Sequence, residues 1–203
     1  RSLLEGKKIM LLPLVECVPA PCQGAIVAEA LPGNYRAVDI LRTINNTVLF
    51  DNCYAEKKMA IGYGTGCQQP FGVTSLQTGR GQYRYAAGRD ASGHTFMHWH
   101  PLPSPAIEEA TLFSTTDFMR DFFRYEWLGS APAIPHTTIF IANYKLLNHP
   151  SGTACLEGKR ILASGTKTWF ELAKNGYWVT ACADALGFES LLPALRMPVL
   201  DIP

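Results

Sequence analysis

The chain has 203 residues, 47% of them hydrophobic and 17% charged, with 18 Lys/Arg against 17 Asp/Glu and a formal net charge of +1. That length holds one large domain or two small ones with proper cores; ten Lys/Arg against seven Asp/Glu in the first hundred residues, then eight against ten, gives neither half the basic excess of a nucleic-acid or anionic-membrane binder. Apolar runs such as Ile9 to Val15 are too short to cross a bilayer and no signal-peptide pattern is present, so neither a membrane nor a nucleic acid is expected as a partner.

In chain order, Ile9 to Leu14 reads as a short apolar strand and Ala25 to Ala30 as another. Val38, Ile40, Leu41 and Ile44 fall at helical spacing between Asn34 and Asn46. Asn46-Thr47 then supplies a stop and a new N-cap, which predicts a second helix from about Val48 to Tyr63, ended by glycines at 62, 64 and 66. Val73 to Gln77, Gln82 to Ala87 and His94 to His100 are strand-like, and the short glycine-bearing connections between them predict an antiparallel meander. Two helices on one face of a three-stranded antiparallel sheet make an α+β domain.

Pro101-Leu102-Pro103-Ser104-Pro105 reads as a linker. Ile107 to Leu128 reads as a long helix whose rings, Phe118, Phe122, Phe123, Tyr125 and Trp127, suit core packing; the basic groove that base stacking needs is missing. Thr137 to Ala142, Lys159 to Ala163 and Tyr177 to Ala181 are expected strands. Ser164-Gly165-Thr166-Lys167-Thr168 opens a helix that runs to Asn175-Gly176, with Ser164 or Thr166 as N-cap, and Phe188 to Leu195 is a further helix. This is the rhythm of a parallel sheet. The turn at Ser164 lacks the spacing of a P-loop or a dinucleotide fingerprint. The expected organisation is therefore a domain over 1–100, a linker over 101–106 and a second domain over 107–203, each with its own core.

The chemistry concentrates at Gly64-Thr65-Gly66-Cys67-Gln68-Gln69-Pro70-Phe71-Gly72, where a lone thiol sits on a glycine-flanked loop that something large could approach. A tight turn with an incidental thiol is the plain alternative. The other cysteines, Cys17, Cys22, Cys53, Cys155 and Cys182, form neither a disulfide framework nor a zinc pattern, so free thiols in a reducing cytoplasm are expected. No histidine lies near Cys67 in sequence, which argues against a Cys-His hydrolase. His98 and His100 share a strand face, but two ligands without a third make no metal site, and none is expected.

Two upstream segments accompany the Cys67 loop: Val18-Pro19-Ala20-Pro21-Cys22-Gln23-Gly24-Ala25-Ile26-Val27-Ala28-Glu29 and Tyr54-Ala55-Glu56-Lys57-Lys58-Met59. In order and spacing the three elements resemble the C-terminal domain of porphobilinogen deaminase (hydroxymethylbilane synthase) over roughly residues 10 to 100. That family is a transferase of tetrapyrrole, hence haem, biosynthesis. The resemblance implies that Cys67 carries a covalent dipyrromethane, the primer on which four porphobilinogen units are polymerised. It also implies that Gln23 and Gly24 bind cofactor carboxylates or pyrrole groups from a hinge. Cys22 replaces the usual glycine. A thiolate suits the attachment because it is the best side-chain nucleophile near neutral pH toward an electrophilic pyrrole methylene, and the resulting thioether does not exchange. A helix C-terminus just before Cys67 does not activate the thiol.

A polypyrrole substrate needs convergent arginines for its carboxylates, and Arg1, Arg36, Arg42, Arg80, Arg84 and Arg89 are scattered. The family's catalytic aspartate and arginine clusters belong to two preceding domains that nothing here matches. With Arg1 opening the chain, the expectation is a C-terminal fragment, inactive alone and without catalytic residues of its own. Its partners would be the missing N-terminal domains of the same protein, and its thiol would be bare until they are present. Lys159 to Leu192 resembles part of uroporphyrinogen-III synthase, which implies a partial α/β (flavodoxin-like) parallel-sheet lobe and a fusion of successive pathway enzymes. The expected fold class is α+β: the three-stranded antiparallel sheet with helices on one face, followed by that partial lobe. A non-catalytic assembly module that retains the fold is the alternative function.

Overall fold

The structure, a computed structural model, describes residues 6–63, 70–78, 81–90, 92–102, 126–129 and 134–197. The chain forms two compact units, Pro13–Pro103 and a discontinuous one made of Arg1–Leu12 with Ser104–Pro203. Mixed α+β architecture is present: one sheet is antiparallel and the other parallel.

In the Pro13–Pro103 unit, α1 (Tyr35–Ile44) and α2 (Thr47–Ile61) precede β1 (Phe71–Thr78), β2 (Gly81–Arg89) and β3 (Thr95–Leu102). Both helices start on asparagine caps. Asn34 Oδ1 accepts from Ala37 N–H at 3.2 Å and Asn46 Oδ1 from Leu49 N–H at 3.0 Å, which satisfies donors that a helix start leaves without partners. The strands pair antiparallel in the order β1-β2-β3, with Val73, Ala86 and His98 in one row and Ser75, Arg84 and His100 in the next. Gln82, which pairs with Gln77 on the same face as Phe71, Val73 and Ser75, donates to Asn52 of α2, so α2 covers that face. On the opposite face Tyr85 packs its ring 4.6 Å from Trp99 and donates its hydroxyl to Val15 O. α1 buries no residue.

Two sequence expectations change here. Ala25 to Ala30 is not a strand, and Ile26 and Val27 are strongly exposed. The outer edge of β1 is already taken, since Val73 N–H donates to Pro19 O at 3.0 Å. Pro101 and Leu102, expected in the linker, belong to β3 and pair with Tyr83 and Gln82. A proline is tolerated there because β3 is an edge strand. The expected helix over 107–128 lies mostly outside the described residues, and Glu126, Trp127 and Leu128 are not helical.

In the other unit, β4 (Thr138–Ile141), β5 (Arg160–Ala163) and β6 (Val179–Cys182) run parallel in that order. A 310 turn (Tyr144–Asn148) and α3 (Pro150–Ala154) follow β4, α4 (Thr166–Lys174) links β5 to β6, and a 310 turn (Phe188–Leu191) runs into α5 (Leu192–Leu195). Alternate strand residues supply two cores. Ile141, Ile161, Ala163 and Val179 pack with Leu156 and Leu172, while Leu162 and Ala181 pack with Ala183, Leu191, Leu195 and the N-terminal Leu11. A sheet buried on both faces is what makes these strands continuous apolar runs.

Ile9 to Leu14 is not a regular strand. Leu11 N–H donates to Thr180 O at 2.7 Å beside β6, and Pro13, which has no N–H, stops the pairing and turns the chain through bonds from Glu16 and Cys17 to its carbonyl. The N-cap of α4 is Gly165, with no side-chain bond. Ser164, one of the two expected caps, turns its hydroxyl to Ala142 O at 2.7 Å instead.

Candidate functional site

Glu56 organises the Pro13–Pro103 unit. It lies on the sheet-facing side of α2, only 7% exposed, and its carboxylate accepts two backbone N–H groups, Cys22 N–H at 2.8 Å and Ser75 N–H at 2.6 Å. One buried charge thereby ties the turn at Cys22, the helix and the edge strand β1 together, and it is acceptable in the interior because both oxygens are hydrogen-bonded. Gly72 adds a second tie. A Cβ there would meet Val18 Cγ1 at 2.5 Å and Pro19 O at 2.8 Å, so only glycine lets the Val18-Pro19 backbone lie against β1.

Cys67 falls in the sequence between α2 and β1. Cys67 lies outside the described residues, but both flanks are fixed. Tyr63 stacks on Phe71 at 4.5 Å and 16°, and on Phe96 at 4.8 Å. Arg89 N–H donates to Pro70 O at 2.8 Å.

Beside Glu56 is a partly open cavity of about 140 Å³, lined among others by Pro19, Cys22, Gln23, Cys53 and Ser75. Gln23 N–H closes a turn onto Ala20 O at 3.1 Å. Gly24 follows at φ +80° with nothing within 4 Å of where a Cβ would stand, so its backbone is open to close approach. Cys22 holds φ +59°, a conformation that disfavours a side chain. Its Sγ contacts Cys53 O at 3.3 Å. Burial first, then the Cys53 thiol and the Glu56 carboxylate, push the Cys22 thiol above its ordinary 9.0, with Lys57 acting the other way.

Sequence reasoning named Glu56 as part of a helix signature but gave it no role. The usable signal was Asn52, Glu56, Met59 and Tyr63 at helical spacing, which sets an acid on the face turned to the sheet. It also missed the row Ser75, Arg84 and His100, in which Ser75 Oγ, Arg84 Nε and His100 Nε2 are each buried without a hydrogen-bond partner among the described residues. His98 and His100 rings lie 5.8 Å apart, and no group of three or more His, Cys, Asp or Glu placed to hold a metal ion occurs among the described residues. Among the same residues no helix is long and apolar enough to cross a membrane.

Compared with known proteins, the chain is 38% identical over 64 residues to a Thermoplasma acidophilum protein described as a probable porphobilinogen deaminase. The match covers 32% of this chain and 21% of that relative, so the chain spans about a fifth of the relative's length. No protein-family model matches the chain. No solved structure matches it either.

Proposed function

We propose that the Pro13–Pro103 unit is the primer-bearing domain of a transferase of haem biosynthesis that polymerises porphobilinogen into hydroxymethylbilane, with Cys67 as the attachment thiol. The observation that carries this reading is Glu56: it bonds the Cys22 turn and β1 from the middle of α2, so the first two segments of the deaminase resemblance share one framework with the strand that the third leads into. The relative's name points the same way. Gly24, with open space around it, and the exposed Gln23 fit a role as backbone and amide donors to carboxylates of a dipyrromethane. When bound, that group supplies the primer for chain growth. The chain's own contribution is the Cys67 sulfur, which as a thiolate forms the thioether bond to a pyrrole methylene. Catalysis requires arginines and an acid from domains N-terminal to this one.

Intact mass tests the reading. Full-length protein made with its other domains should carry two added pyrrole units that Cys67→Ser removes, while this chain alone shows its bare mass. A bare full-length protein overturns the proposal. Gln23→Ala in the full-length protein should slow elongation yet leave attachment intact; unchanged turnover removes Gln23 from the site. For the parallel-sheet unit we propose a partial synthase-like lobe, inactive in cyclisation by itself.

A second reading, an assembly module without catalysis, is favoured by one observation. Tyr35, Ile44, Tyr54 and Ile61 on α1 and α2 are each about two-thirds or more exposed, more apolar surface than two neighbouring helices usually leave in water. Bare thiols in the full-length protein, together with capture of a stable partner, would select it.

A further inference from the structure

Two cysteines line the cavity beside Glu56, and the proposed function uses neither thiol. Cys22 Sγ donates to Cys53 O at 3.3 Å, and both residues line the same opening. Their backbones are held independently of the sulfurs. Cys22 N–H is fixed by Glu56 Oε2 at 2.8 Å, and Glu56 lies one helical turn beyond Cys53 on α2. Both cysteines are half-buried, so a small reagent reaches them through the cavity mouth. The other described cysteines have different surroundings: Cys17 is exposed, Cys155 at the C-terminal end of α3 donates to Ser151 O at 3.1 Å, and Cys182 is buried in β6.

We propose that Cys22 and Cys53 form a reversible disulfide, a modification site for hydroperoxides. One thiol, as the thiolate, attacks the peroxide O–O bond and becomes a sulfenic acid as water leaves; the second thiol displaces the sulfenic oxygen as another water. Two thiols and one hydrogen peroxide thus give one disulfide and two waters. The sulfurs lose two electrons and the peroxide oxygens gain them. The closed bond staples the Cys22-Gln23-Gly24 turn to α2, and a dithiol reductant reopens it. The inference does not depend on what Cys67 carries.

The test treats the chain with stoichiometric hydrogen peroxide and compares it with Cys22→Gly, which suits φ +59° and so retains the fold. Wild type should lose two of its six thiols and about 2 Da, with a non-reduced digest joining the peptides of Cys22 and Cys53, and dithiothreitol should restore both. Cys22→Gly should show no such loss, and Cys17→Ser should behave as wild type. Phenylarsine oxide, which bridges paired thiols, reads the reduced state: one equivalent should bind wild type and none Cys22→Gly. A linkage to any other cysteine, a Cys22→Gly chain that still loses two thiols or binds the arsenical, or a wild type that keeps every thiol free overturns the proposal.

Discussion

Glu56 illustrates how much a single side chain can decide at the residue scale. Hydrogen bonds to a charged acceptor contribute about 1.5–3 kcal/mol each, and Glu56 accepts two from backbone groups in different segments. Glu56→Ala should therefore lower the stability of the Pro13–Pro103 unit by about 3 kcal/mol, read as a lower urea midpoint, and should loosen the Cys22 turn to amide exchange. Glu56→Gln should fall between, because one of its two terminal atoms is a donor and meets an N–H. Equal midpoints for wild type and Glu56→Ala would falsify the clamp. Cys22 contributes a pH dependence of definite sign. Its folded value lies above the ordinary 9.0, so below that pH both states hold the proton and stability is unaffected. Above it the unfolded chain releases its proton first, and the fold loses stability as pH rises toward the folded value. The drop in urea midpoint between pH 8 and 10 should be larger for wild type than for Cys22→Gly; equal drops refute it. The acid's role was hidden in the sequence because a buried glutamate reads there as one more charge on a helix. Gly72, by contrast, was visible as a loop glycine, but only the approach of Val18 and Pro19 explains why no side chain fits.

At the scale of elements, most of the fold was legible. The antiparallel meander and the three parallel strands follow from short apolar runs between glycine-bearing turns, and their ends shift by only a few residues. The asparagine caps were legible because a short polar side chain before a periodic run has few other uses. Asn46→Ala should lower stability by about 1 kcal/mol, and Asn46→Asp should restore most of it; calorimetry that finds no loss in Asn46→Ala would show that packing alone starts α2. What failed was strand assignment where pairing, not propensity, decides. Ala25 to Ala30 is apolar enough for a strand, yet Pro19 and Glu56 already occupy the free donors of β1. Ser164 looked like a cap because hydroxyls commonly are, but it is drawn instead to the carbonyl of Ala142 across the strand ends. The Ser75, Arg84 and His100 row could not be foreseen either, since cross-strand register is unreadable until the turns are fixed.

At the scale of the whole molecule, the first twelve residues belong with the last hundred. Leu11 donates to Thr180 and packs into the core of Leu162 and Ala181, and the Trp178 indole donates to Ile9 O at 3.1 Å. Deleting residues 1–12 should destabilise the parallel-sheet unit by about 2 kcal/mol, from a partly buried leucine and two hydrogen bonds. The antiparallel unit should keep its midpoint. Amide exchange resolved by peptide reads both at once, and an equal loss in the two units would refute this division of the chain.

The same arrangement sets a timetable for synthesis. Leu11 is synthesised well before Thr180, so its place beside β6 stays empty while the chain between them is made. At about 5–20 residues per second the wait is on the order of ten to thirty seconds. The Pro13–Pro103 unit has all its strands and helices within one continuous stretch and can close early. The parallel sheet cannot complete its second core until β6 has been made, and until then the apolar segment bearing Ile9, Leu11 and Leu12 remains available to chaperones or to another copy of the chain.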